Sequence, residues 1–167
     1  ESRFNSVVKI GTPSFLKKIK GKVFNLCQGG SGNNYFHFIF DIIPKIHLLI
    51  YKKKLKDIDY YYLTNPKKWQ IDILKILGIT DDKIIDSKIY NHIHADEIYA
   101  VDHPWYEKGY IQYNLNKLPK WIINENRKTF LKIRPENSKK RIFLDRSNSS
   151  FNHCQIENLE TITKLVL

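Results

Sequence analysis

The 167 residues, 42% hydrophobic and 13% aromatic, can bury one ordinary core. Two cysteines, Cys27 and Cys154, are too few for a disulfide framework and lack zinc-motif spacing, so a reducing cytosol is the simplest setting, and no run of about 18 apolar residues is present to span a membrane. The formal charge is +11, yet only five of the 28 cations are arginine, the residue that reads bases and phosphates bidentately; the lysines read as coding bias and solvated faces, with weak attraction to anionic lipid or acidic glycan as a lesser part.

In chain order, residues 22–27 read as a short apolar strand leading into the glycine loop Gly29-Gly30-Ser31-Gly32-Asn33-Asn34. Residues 34–52 read as a helix, kinked by Pro44 one turn past His37. Residues 59–63 are the next strand, ended by Thr64-Asn65-Pro66, which also starts a helix because Asn caps and Pro suits a first turn. That helix, over 67–77, carries Trp69, Ile73, Ile76 and Leu77 at core spacing and stops at Gly78. Strands near 83–86 and 95–101, an aromatic-rich loop at 103–114, a helix at about 118–132 and a strand at 141–145 follow. The runs Lys17-Lys18 and Lys52-Lys53-Lys54 are expected at helix ends. The alternation predicts an α/β fold, a Rossmann-like parallel sheet with helices on both sides.

The most informative stretch joins the glycine loop to a helix carrying His37 and Asp41. Four residues apart, the two side chains stack on one helix face, so the carboxylate can hold one imidazole nitrogen and leave the other as a base directed out of the helix start. A His–Asp pair among apolar neighbours also serves as a plain structural network. The loop favours chemistry, because Gly29, Gly30 and Gly32 let backbone N–H groups approach a ligand and Asn33 or Asn34 caps a helix start whose positive end faces an anion.

The segment Asn34-Tyr35-Phe36-His37-Phe38-Ile39-Phe40-Asp41-Ile42-Ile43-Pro44-Lys45 resembles the Asn-x-x-His-[Trp/Phe]-x-x-Asp-x-[Leu/Ile]-Pro-[Arg/Lys] signature of glycosyltransferase family 61, the capsular polysaccharide biosynthesis type. Lys140-Arg141-Ile142-Phe143-Leu144-Asp145-Arg146 is similar to that family's Arg-Ile-Tyr-Ile-Ser-Arg strand, and Ala95-Asp96-Glu97-Ile98-Tyr99-Ala100-Val101 to a strand between the two. After Arg146 only Glu157 remains of an expected arginine pair and Asn-Glu, and the chain ends before a His-Gly-Ala-Gly-like loop. The resemblance implies one half of a GT-B type enzyme with two Rossmann-like domains. Residues 1–136 would form the acceptor-side domain, and 137–167 the start of the donor-side domain, with strand 141–145 opening its separate sheet. The start at Glu1, the absence of methionine and the apolar end Leu165-Val166-Leu167 agree with a piece of a larger protein, inactive alone.

Ligands of open parallel sheets collect beyond the carboxyl ends of the strands, where loops 29–34, 64–66, 102–105 and 146–150 are expected to converge. There Gly29, Gly30, Asn33 and Asn34 would bond sugar hydroxyls, Trp105 and Tyr106 would stack on a sugar face, and Arg146 would hold a phosphate or carboxylate. Trp105 fits equally as a surface plug, and Arg146 as a partner of Asp145. His92-x-His94-x-Asp96 places three potential metal ligands on one side of a strand, though a structural role suffices. Asp57-x-Asp59 precedes a strand, whereas the carboxylate pair of metal-dependent sugar transferases follows one. Ser31 and Ser147 lack a triad context.

The expected reaction is inverting transfer from a nucleotide sugar to a glycan or other hydroxyl acceptor in surface polysaccharide synthesis. His37 is the base, oriented by Asp41, with Asp41 acting directly as the alternative. No metal or bound cofactor is called for if helix dipoles and cations neutralise the departing phosphate. The rivals are a non-catalytic carbohydrate- or membrane-surface-binding α/β domain and a basic nucleic-acid-binding module. The expected location is cytoplasmic, with peripheral contact at an anionic membrane as an extension.

Overall fold

A computed structural model describes residues 15–28, 30–105, 117–131, 145 and 156–166. The chain divides into two compact units, Glu1–Lys132 and Ile133–Leu167. Gly29, Tyr106, Arg146 and Cys154, the loop at 146–150 and the body of the strand expected at 141–145 lie outside the described residues.

In the first unit the elements are β1 (Lys17–Asn25), α1 (Tyr35–His37), a π-helical turn (Phe38–Ile42), α2 (Ile43–Tyr51), β2 (Tyr60–Leu63), α3 (Lys68–Ile76), β3 (Ile84–Asp86), β4 (Ile93–Tyr99) and α4 (Lys120–Phe130). The second unit contains α5 (Leu159–Val166). The four strands form one all-parallel sheet in the order β3-β2-β1-β4. The chain thus steps outward from β1 to β3 and then returns to the other side of β1. That reversal makes a topological switch point between β1 and β4, the place where ligands of open parallel sheets collect beyond the carboxyl ends of the strands.

Side-chain parity divides the sheet into two unlike faces. Phe24, Tyr61, Ile84 and Tyr99 are neighbours in register and share a face. On it Phe24, Leu26, Tyr61 and Leu63 pack with Phe38, Ile42, Ile43, Ile46 and Leu49 before and within α2, with Leu74 and Leu77 from α3, and with Phe130 from α4. Helices were expected on both faces; the apolar contacts of α2, α3 and α4 converge on one. The physical reason is handedness, since two successive right-handed crossovers in one direction put both helices on the same side. The return from β3 to β4 is only six residues long, and Tyr62, on the opposite face, donates its hydroxyl to the Tyr90 carbonyl at 2.6 Å within that connection.

β1 begins at Lys17, five residues earlier than the apolar pattern suggests, so Lys17-Lys18 lies on a strand and not at a helix end. Backbone pairing to Ile93 and His94 outweighs the solvated look of the lysines. A bulge between Ile19 and Lys22 then shifts the register. Asp96 accepts the Gly21 N–H at 2.7 Å and Asp59 the Lys22 N–H at 2.8 Å, so both carboxylates are engaged with the bulged backbone.

Two further local expectations change. The helix after β2 starts at Lys68, not at Asn65-Pro66: Asn65 takes φ 41°, and the Gln70 side chain accepts the Lys67 N–H at 2.8 Å. Gln70 and Leu74 form the buried line of α3 and Leu77, its C-cap, is buried as well, while Ile76 is half exposed. Its end follows the sequence: Gly78 takes φ 83°, its N–H bonds the Lys75 carbonyl, and that of Ile79 bonds Leu74, a Schellman closure.

Candidate functional site

His37 and Asp41 meet as their spacing predicts, across a distorted stretch of helix. Asn34 caps the start, its side chain accepting the His37 N–H at 3.3 Å. The chain then widens into the π turn, where the Ile43 N–H bonds Phe38 five residues back. Pro44, with no N–H, would leave the Ile39 carbonyl without its partner in that register. Asn126 of α4 supplies the missing donor at 3.2 Å, and its amide oxygen lies 3.0 Å from His47 Nε2. The Pro44 effect is therefore a π turn before the proline, held by a side chain 87 residues further along the chain.

Asp41 is 1% exposed. His37 Nδ1 lies 2.8 Å from its Oδ2, which also accepts from Gln28 Nε2 at 2.8 Å. Trp105 Nε1 donates to Oδ1 at 2.8 Å, and His103 Nε2 lies 3.3 Å from the same atom. A buried carboxylate is stable only when its lone pairs are satisfied, and these four groups surround both oxygens. Because the carboxylate can only accept, His37 carries its neutral-state proton on Nδ1 and leaves Nε2 with a lone pair. The His37 side chain is 39% exposed, so of the two members only the imidazole faces solvent appreciably.

Behind the pair, Lys45 Nζ donates to Gln28 Oε1 at 3.1 Å, fixing the amide so that its NH₂ points at Asp41. Burial pulls the Lys45 ammonium below its ordinary pKa, with Asp41 and Asp102 opposing. Burial also lowers the pKa of His103, against the pull of Asp41 and with Lys45 and His37 adding to the fall. His103 and Trp105 pack edge to face, and Trp105 meets Phe36 the same way.

Residues 30–34 and the loop at 64–66 do come together, Gly32 lying against Thr64, and the loop at 102–105 reaches Asp41 and Phe36 on the helical stretch that follows. Gln70 Nε2 donates to the Ser31 carbonyl at 2.7 Å, and the Ser31 hydroxyl donates to the Gln28 carbonyl at 2.7 Å. The glycines are needed for approach by the protein's own groups. A Cβ on Gly30, at φ 85°, would stand 3.0 Å from His37 Cδ2, and one on Gly32 would stand 3.0 Å from the Thr64 carbonyl. Asn33 is exposed in the turn, and Asn34 is occupied as the cap. Trp105 departs from the free stacking platform in that its indole N–H is committed to Asp41.

Gln28, Lys45 and His103 were not among the expected site residues: Gln28, held by Lys45, reaches Asp41 when the loop after β1 folds onto the helical stretch, and His103 only once β4 lies beside β1. The His-x-His-x-Asp stretch on β4 brings no metal cluster: among the described residues no group of three or more His, Cys, Asp or Glu is placed to hold an ion. Cys27 sits 3.6 Å from the Tyr62 carbonyl, and burial raises its thiol pKa, the opposite of what a nucleophile needs. No family model, curated protein or solved structure matches this chain.

Proposed function

We propose that this chain carries the acceptor-activating site of an inverting glycosyltransferase, with His37 as general base. One observation carries the reading: a buried, fully surrounded carboxylate orients a part-exposed imidazole at the switch point of a parallel sheet. The likeness of residues 34–45 to the glycosyltransferase family 61 signature supplies the reaction class, and the GT-B arrangement belongs to the same proposal.

In this reaction His37 Nε2 takes the proton of an acceptor hydroxyl as that oxygen bonds to the anomeric carbon of a nucleotide sugar. The bond from that carbon to the phosphate oxygen breaks on the opposite face, and the nucleotide leaves with the bonding pair. Asp41 stabilises the imidazolium and holds the ring tautomer without itself accepting the proton, since its lone pairs are already engaged. Direct base action by Asp41 is the weaker alternative for that reason.

The test is sugar transfer by the intact gene product against a panel of nucleotide sugars and hydroxyl acceptors. His37→Ala is expected to lower turnover roughly a hundredfold or more, with donor affinity nearly unchanged. Sugar binding without turnover in the wild type would favour a carbohydrate-binding domain, and near-normal turnover of the variant would leave the pair as a structural network.

A further inference from the structure

At the amino end of the sheet, remote from His37, a groove of about 260 Å³ is lined by Lys17, Ile19, Lys20, Tyr60, Ile85 and Tyr90 among others. Lys17 Nζ lies 5.2 Å from the centre of the Tyr90 ring, and the Lys17 N–H bonds the His92 carbonyl, which ties the start of β1 to the connection before β4. Beside the groove Leu16 is 45% and Ile89 69% exposed, with Tyr90 at 40%. Lys17, Lys18 and Lys20 are exposed as well. Elsewhere Lys22, Lys54, Lys68, Lys75 and Lys128 face carboxylates. The cations at the groove thus stand beside aliphatic tips that the fold leaves in water.

We propose that this end of the sheet docks on an anionic lipid bilayer, independently of the sugar-transfer reading. Leu16, Ile89 and the Tyr90 ring would enter the headgroup–acyl boundary, where an aromatic with a polar tip is well accommodated. The lysine stems lie along that apolar surface while their ammonium groups meet acidic headgroups. A polysaccharide or nucleic acid would satisfy the same charges but leave Leu16 and Ile89 hydrated, so the lipid surface answers both features. Contact of this kind is peripheral, and no helix among the described residues is long and apolar enough to cross a membrane. Because β1 runs nine residues from this end to the loop before His37, at about 3.3 Å per residue, the His37 site stays clear of the bilayer.

Sedimentation with vesicles of phosphatidylcholine, with and without phosphatidylserine, tests the proposal. The full chain is expected to bind the serine-lipid vesicles preferentially. Lys17→Glu combined with Lys20→Glu should weaken binding at least roughly tenfold, and Ile89→Asp severalfold, with far-ultraviolet circular dichroism unchanged. Lys67→Glu with Lys68→Glu, an equal charge change beyond the carboxyl end of β2 and so at the opposite end of the sheet, should have a clearly smaller effect. Three results would overturn the idea: no binding to anionic vesicles, equal loss from the two lysine pairs, or insensitivity to Ile89→Asp. The last, combined with equally tight binding of a soluble acidic polysaccharide, would assign the groove to a glycan instead.

Discussion

Trp105 Nε1 donates to Asp41 Oδ1 at 2.8 Å across 64 residues of chain, tying the loop after β4 to the helical stretch after β1. This bond joins the two strands that flank the switch point. It also gives Trp105, expected as a sugar platform, a place among the donors around the Asp41 carboxylate.

Removing that support should act on stability and chemistry together. Trp105→Phe keeps most of the ring packing but leaves one carboxylate oxygen short of a donor, at a cost of about 2 kcal/mol. Asp41→Asn is expected to cost about as much, since its NH₂ must then face other donors, and to lower sugar transfer roughly a hundredfold in the intact gene product. Urea unfolding and initial-rate measurements check both. Wild-type stability in Asp41→Asn would show that the surrounding donors do not depend on the negative charge.

Two glycines with nearly the same backbone angle should separate strain from function. Gly30 (φ 85°) and Gly78 (φ 83°) each resist a side chain, so either change to Ala should cost about 1 kcal/mol. Only Gly30 has His37 within 3.0 Å of the added methyl, whereas nothing lies within 4 Å at Gly78. Gly30→Ala should therefore perturb the His37 ring resonances in an NMR spectrum, and Gly78→Ala should leave them in place. Equal perturbation by both would mean that the ring does not sit against the glycine turn.

The π turn gives a double-mutant test. Asn126→Ala should destabilise by about 2 kcal/mol, since the Ile39 carbonyl and His47 each lose a partner. Pro44→Ala restores an N–H that can reach the helix carbonyls, so part of the Asn126 penalty should disappear in the double variant. The cycle measured by chemical denaturation should show a coupling of about 1 kcal/mol. Strict additivity would remove the link between Pro44 and Asn126.

Acid should weaken the fold from near neutrality downward. Burial holds the pKa values of His47 and His103 below the ordinary 6.5 in the native state. As pH falls, the unfolded chain takes up those protons first, so their stabilising effect is complete above about pH 6.5 and is lost as pH falls toward the lowered native values. Thermal unfolding between pH 7.5 and 5.5 should show a falling midpoint, and His47→Gln should flatten the slope. A midpoint rising on acidification would reverse the assignment.

Sequence by itself determined the features that arise within one or two helical turns or along one strand. The i, i+4 stacking of His37 and Asp41, the cap at Asn34, the short strand at Tyr60–Leu63 and the stop at Gly78 all depend on local backbone geometry, which periodicity and capping chemistry encode directly. The parallel α/β character was legible for the same reason, from alternating strand and helix patterns. Tertiary structure alone decided how that pair is supported and how far the local patterns extend. Gln28, His103 and Asn126 are polar residues with no distinctive spacing, and the hold of Lys45 on Gln28, like their contacts, appears only when the loop after β1, the loop after β4 and α4 pack on the helical stretch. The start of β1 at Lys17 likewise follows from pairing with β4, since a solvated lysine stretch becomes a strand when a neighbour supplies the ladder. Long-range contacts select among locally permitted states, and a carboxylate as buried as Asp41 selects for the donors that surround it.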